Sequence, residues 1–341
     1  MRRGKAAAAS RPAPGALSPL HLVELDGTGP EDVVFDSSGR LLTGVADGRI
    51  LRITLPGPDR PGSPAEVVEV GRTGGRPLGL EVLSDGRLLV CDAQRGLLRL
   101  DPDGERGGET GGKAGVEVLA DSVAGAPLRF CSNTVAASDG TVYFTVSSGR
   151  HGLDDWLSDI VEHQPTGLLV RLAPGEDPEV LLDGLQFANG VVLAPDESFV
   201  TVAETGARRL TRLWLTGPAA GRHDTLTDDL PGFPDNMSRS PGGGFWVALA
   251  GPRTPPLEWL HRAAPGVRRA VAGAVRRLPP PPALGGARVV EVDSYGRVVR
   301  ELRGRGYRMV TGVAQYGSRL ALGSLREGAV AWCDLREPTP A

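Results

Sequence analysis

Residues 187–215 read FANGVVLAPDESFVTVAETGARRLTRLWL, and their pattern decides the fold. Asn189 precedes an alternating apolar run through Val191 and Leu193. Pro195, Asp196 and Glu197 make a turn, after which Phe199, Thr201 and Val202 carry a second extended run. Thr205–Gly206 turns the chain again, and a third run ends at Leu215. Short runs of period two between turn residues signal antiparallel strands.

The same unit recurs in both directions. Towards the N-terminus it reads GPEDVVFDSSGRLLTGVADGRILRI from Gly29 and RPLGLEVLSDGRLLVCDAQRGLLRL from Arg76. It reads LRFCSNTVAASDGTVYFTVSSGR from Leu128, resuming at PTGLLVRL. Beyond the opening stretch come FPDNMSRSPGGGFWVALAG from Phe233, resuming at ARVVEVDSYGRVVREL, and MVTGVAQYGSRLALGSLREGAVAWCDL from Met309. Ser38–Gly39, Asp85–Gly86 and Asp139–Gly140 supply hairpin turns. The residues heading the innermost strands are Glu31, Leu78, Asn133, Asn189, Asp235 and Thr311, spaced 47, 55, 56, 46 and 76 residues apart. Near-regular repetition of one supersecondary unit predicts an all-β, six-bladed β-propeller over residues 19–336. The run LHLVEL, residues 20–25, is expected to complete the last blade and close the ring.

Residues 1–18 read as a disordered tail without a signal-peptide core. Insertions at 150–165 and 251–287 interrupt the repeats. The first carries Leu153, Trp156, Leu157 and Ile160 at helical spacing. The second sets Val267, Val271 and Val275 against Arg268, Arg269, Arg276 and Arg277, an amphipathic basic helix. Both are expected to act as lids over the channel. A net charge of −3 gives nucleic acid no footprint. No stretch is apolar enough to span a bilayer, so membrane contact is not expected. Three cysteines without zinc spacing fit a reducing, cytoplasmic setting. A small-molecule substrate and a monomer or small homo-oligomer complete these expectations.

In a propeller the innermost strands begin around the central channel. Glu31, Asn133, Asn189 and Asp235 bring side-chain oxygens there, with Asn236 beside the last. Carboxylates and amides without histidine or thiolate suit a divalent metal, most of all Ca²⁺. The plainer reading is a set of amides hydrogen-bonded across a wet channel. Asp235 is the first candidate for a catalytic base, Glu31 the second and Asp92 the third. His151 and His163 flank the first insertion and could serve as bases near neutral pH. Cys131 is expected to be buried and inert, and Glu204 to pair with Arg208 or Arg209. Arg129 could orient an anion, and Trp156 and Trp259 could wall the pocket.

GPED (29–32), RPLGL (76–80), LDGLQFANGV (182–191), APDES (194–198), AETG (203–206) and LPGFPDNMSRSPGGGFWVALA (230–250) resemble the strictosidine-synthase-like proteins. That group includes the adipocyte plasma-membrane-associated proteins and is similar, more distantly, to gluconolactonases (senescence marker protein) and paraoxonases. The resemblance covers roughly residues 20–335. It implies a six-bladed propeller with one central cation held by Glu31, Asn133, Asn189 and Asp235, with Asn236 as a fifth ligand. Two departures stand out. The catalytic glutamate of plant synthases falls on Thr311, and the catalytic histidine of paraoxonases falls on Leu78. Thr134 also stands where a second calcium would want an aspartate. The resulting expectation is a Ca-type metal-dependent hydrolase of a lactone or ester. A cyclase, lyase or condensing enzyme on the same site is the alternative, and a binding module with a structural ion is the third.

Overall fold

The computed structural model describes residues 12–57, 63–104, 115–228, 230–279 and 281–335. Its strands form the six antiparallel blades of a propeller. The innermost strands are Val33–Phe35, Pro77–Val82, Cys131–Ala136, Ala188–Leu193, Gly232–Arg239 and Val310–Tyr316. Blades one to five each use four consecutive strands. The sixth has only three from the C-terminal region and borrows its outer strand, His21–Glu24, which pairs antiparallel with Ala329–Trp332. The ring is therefore closed by hydrogen bonds between the two ends of the chain.

Alternation puts one set of apolar side chains on each blade face, and neighbouring faces bury them against each other. Six clusters result, one in each seam. Val135 and Leu169 of blade three meet Val191 and Val202 of blade four. Trp246 and Val289 of blade five meet Val313 and Leu320 of blade six. The polar edges of this last seam are satisfied: the Trp246 indole donates to Gln315 Oε1 at 2.7 Å, and the Tyr307 hydroxyl donates to the carbonyls of Ala329 (2.9 Å) and Leu322 (3.2 Å).

The tail expected over residues 1–18 ends sooner. Gly15–Ala16 pairs in parallel with Leu302–Arg303, and Leu17 is buried in the seam of blades five and six. Residues 1–11 lie outside the described residues. The first insertion folds into helix α1 (Trp156–Glu162). The second folds into two helices rather than one, α2 (Pro255–His261) and α3 (Pro265–Val275), each opening on a proline whose missing N–H costs nothing at a helix start. Among the described residues no helix is long and apolar enough to cross a membrane.

Candidate active site at the propeller axis

The innermost strands of blades two to six share one irregularity. In each, two residues oppose a single residue of the partner strand. The pairs are 78–79, 132–133, 189–190, 235–236 and 311–312. Glu31–Asp32 occupies the equivalent place ahead of the blade-one strand. Such a bulge rotates one side chain out of the regular pleat. The first residue of every pair, Glu31, Leu78, Ser132, Asn189, Asp235 and Thr311, lines one cavity of about 300 Å³.

The second residue of each pair points towards the axis below. Here Asp32, Asn133 and Asn236 alternate with Gly79, Gly190 and Gly312. The glycines are obligatory. A Cβ on Gly79 would lie 2.4 Å from the Asn133 Cα, and one on Gly312 would lie 2.8 Å from the Asp32 Cα. Asn133 therefore sits one position deeper than the sequence register assigned it, and Ser132 takes its place at the cavity. The Asn133 amide donates to Asp32 Oδ2 at 3.3 Å, and its oxygen accepts from the Val191 N–H at 3.2 Å. Asn236 donates to both Glu31 oxygens at 3.2 Å.

Three buried carboxylates, Glu31, Asp32 and Asp235, thus lie within electrostatic reach of one another. Burial first, then the charges of Asp235 and Asp32, raise the Glu31 pKa well above its usual range, with Arg76 and Asn236 offsetting in part. Burial and then Asp32 do the same to Asp235, against a hydrogen bond from Asn189. Asp32 is pushed up to about 7 by burial, opposed by the N–H groups of Leu80 and Val33 and by Asn236 and Asn133. Asp235 Oδ1 and Asn236 Oδ1 are buried without a hydrogen-bond partner. Buried carboxylates with a vacant lone pair are costly unless a proton or a cation neutralises them. The residues fit a hard divalent ion. Among the described residues no three of His, Cys, Asp and Glu converge as a metal-holding group. A cation here would rest on two carboxylates and amide oxygens.

The remaining sequence candidates separate. Asp92 Oδ1 caps a turn by accepting from the Gln94 and Arg95 N–H groups, and Asp92 is not at the cavity wall. His151 is engaged by Arg276 at 2.9 Å and lies 3.4 Å from Glu162. Cys131 is buried beside Cys91, with the sulfurs 3.1 Å apart. Glu204 pairs with Arg209 at 2.6 Å, while Arg208 approaches Glu258. Arg129 is exposed and does not line the cavity. Trp156 lines it, but Trp259 is 72% exposed and does not. Asp32 and Arg76 were missed. Arg76 is buried, donates to the Gly29 carbonyl at 2.8 Å and leaves Nη1 without a partner. The GPED and RPLGL motifs contained both, but only the cross-blade contact reveals them.

The helices roof the cavity through Leu153, Trp156, Ile160 and Leu257. Their seam holds two stacked imidazoles, His163 and His261, 3.9 Å apart and 6° from parallel. His261 Nε2 also contacts the Ile160 carbonyl at 2.8 Å. Burial first, then His261, Arg268, Arg208 and Arg209, depress His163 to about 4. Burial likewise lowers His261, although the Ile160 carbonyl and Glu258 act the other way. A depressed histidine costs the packed state nothing above its free value of about 6.5, and costs it progressively more as pH falls towards the folded value. Protection against hydrogen exchange, corrected for the pH dependence of the intrinsic rate, is therefore expected to fall from pH 7 to pH 5 more in residues 153–163 and 255–275 than in the blades. An equal fall in protection everywhere would remove the imidazole seam as the cause.

Comparison with known proteins fits this geometry. The family model described as strictosidine synthase matches residues 132–218, and that described as strictosidine synthase-like, N-terminal, matches residues 15–53. Strictosidine synthase-like 6 of Arabidopsis thaliana is 30% identical over 308 residues, 90% of this chain and 79% of its own length. The adipocyte plasma membrane-associated protein of Rattus norvegicus is 34% identical over 319 residues, 87% of this chain and 81% of its own. Among solved structures, a gluconolactonase from Xanthomonas campestris aligns with a TM-score of 0.64 at 18% identity, over 93% of this chain and 89% of that one. A calcium-binding protein, regucalcin, from Agrobacterium tumefaciens aligns with a TM-score of 0.57 at 16% identity, over 91% and 90%. At such identities the structural likeness speaks for the fold. Sequence similarity across most of both chains is decisive for kinship: this propeller belongs to the strictosidine synthase-like family, alongside the adipocyte plasma membrane-associated proteins.

Proposed function

We propose that the chain is a divalent-metal-dependent hydrolase of a lactone or ester. The observation that carries this reading is the buried, unpartnered Asp235 Oδ1 among mutually repelling carboxylates at the floor of an apolar cavity. Glu31, Asn189 and Asp235 would hold the ion from the cavity side, with Asn133 and Asn236 in the layer beneath. A Ca²⁺-type ion supplies polarisation of an acyl carbonyl and acidification of water. Asp235 takes a proton from the attacking water as its oxygen bonds to the acyl carbon, and returns that proton to the leaving oxygen as the acyl C–O bond breaks, giving an acid and an alcohol. Asn189 orients that carboxylate. Asn236 holds the Glu31 carboxylate by both oxygens. Leu78 and Thr311 have no basic group to offer, which leaves the proton to the carboxylates.

Purified protein stripped with chelator and titrated with Ca²⁺ tests the reading on aryl esters and lactones in ¹⁸O-water. Stripping is expected to lower turnover by at least about a hundredfold, with recovery on re-addition. One heavy oxygen is expected in the acid product. A product that retains every substrate atom and gains no oxygen would move the site to cyclisation or condensation. Full activity after stripping would end the role of the metal.

A further inference from the structure

Cys91 lies in the second strand of blade two (Leu88–Asp92), and Cys131 opens the innermost strand of blade three (Cys131–Ala136). They stand 40 residues apart in the chain and in different blades, yet their sulfurs are 3.1 Å from each other. A disulfide needs about 2.0 Å, so a movement of about 1 Å, shared between two side chains, would join them. Both are fully buried, in the apolar seam that holds Leu89, Leu97, Phe144 and Val146. The backbone beside them is already tied across the seam, because the Phe130 N–H donates to the Ala93 carbonyl at 2.9 Å. The place is not remote from the axis. Cys131 immediately precedes the Ser132–Asn133 bulge that supplies one residue to the cavity and one to the layer below. The third cysteine, Cys333, is buried in the seam of blades five and six.

We infer that Cys91 and Cys131 form a modification site, at which a hydroperoxide makes a disulfide that clips blade two to blade three within the native fold. One sulfur attacks a peroxide oxygen, the O–O bond breaks, and the products are a sulfenic acid and water. The neighbouring sulfur then displaces the sulfenic hydroxyl, which leaves as a second water with the remaining thiol proton. Two thiols and one hydrogen peroxide thus give one disulfide and two waters, with two electrons passing from the sulfurs to the O–O bond. The oxidant must be small. A bulky disulfide has no approach to side chains this deep, whereas hydrogen peroxide needs only a local opening of the seam. Burial, and then the neighbouring Cys131, raise the Cys91 thiol well above its ordinary value, so closure is slow and depends on proximity. The clip is independent of the hydrolase reading and needs no metal.

The test is a peptide map of the folded protein after hydrogen peroxide, quenched, unfolded in iodoacetamide and cut with trypsin without reduction. The expected product joins residues 88–95 to residues 130–150 and is lighter than the two thiol peptides by two hydrogen atoms. Cys333, in residues 327–336, is expected to stay alkylated. Closing a loop of this length is expected to raise the melting temperature by about 5 °C. Cys131→Ala, treated in the same way, is expected to show no rise, which separates the clip from oxidation of methionine. Hydrogen exchange in residues 128–136 is expected to slow in the cross-linked wild type. Three alkylated cysteines after treatment that oxidises methionine would overturn the inference, as would a bond to Cys333 or sulfinic acid in place of the disulfide. A cross-linked protein that melts no higher than the thiol form, or an equal rise in Cys131→Ala, would overturn it as well.

Discussion

Asp235→Asn is expected to lower turnover by about 10³-fold while raising the melting temperature of the metal-free protein. The two effects share a cause. Burial and Asp32 raise the Asp235 pKa well above its usual value, so the folded state resists the charge that the unfolded chain carries freely at neutral pH. A raised carboxylate costs stability at every pH above its unfolded value, and the cost disappears on acidification. The amide keeps the shape and the Asn189 contact but not the charge. Calorimetry should then show a higher melting temperature in chelator and no further gain on adding Ca²⁺, whereas the wild type should gain. A variant less stable than wild type in chelator would mean that Asp235 is already compensated by the protein. That result would remove the electrostatic case for a cation.

Gly190→Ala is expected to harm the fold severely. The added Cβ would stand 2.5 Å from the Asp235 carbonyl oxygen and 2.7 Å from the Met237 nitrogen. Both are backbone atoms, so no side-chain rotation relieves the clash, and blades four and five must move apart. The expected loss is about 3–5 kcal/mol in urea unfolding, within the range of severe overpacking. Activity should fall with it, because the displaced strand carries Asp235. Gly86→Ala is the control. Gly86 has φ 84° and an open neighbourhood, so only backbone strain of about 1–2 kcal/mol is added. Equal losses at the two positions would show that the close approach at the axis does not matter.

The propeller was legible because its signals are local. Turn dipeptides such as Asp85–Gly86 and alternation such as that around Val191 and Val202 need no knowledge of distant residues. The convergence of Glu31, Asn189 and Asp235 was legible because each heads the same strand of the repeat. The exact blade-three register was not. Asn133 matched by residue type, but the bulge gives Ser132 the cavity and sends Asn133 to the axis. Simple alternation also sends Asp32 away from its neighbour Glu31, whereas the structure buries both near Asn236. The two tryptophans of the insertions show a further limit. Trp156 and Trp259 both lie in amphipathic segments, and only the packing of the helices settles that one faces inward and the other outward. Arg76 acts across a blade boundary, a relation that no spacing within one repeat encodes.

The borrowed strand His21–Glu24 sets a timetable for biosynthesis. Translation delivers it long before its partner, Ala329–Trp332. Five blades can form as they emerge, while the sixth remains unfinished and an apolar edge waits in the open. The axial basin draws on Glu31 from the start of the circle and on Thr311 from its end. That basin is therefore complete only once the sixth blade has closed, and a chaperone that shields the waiting edge would act before then.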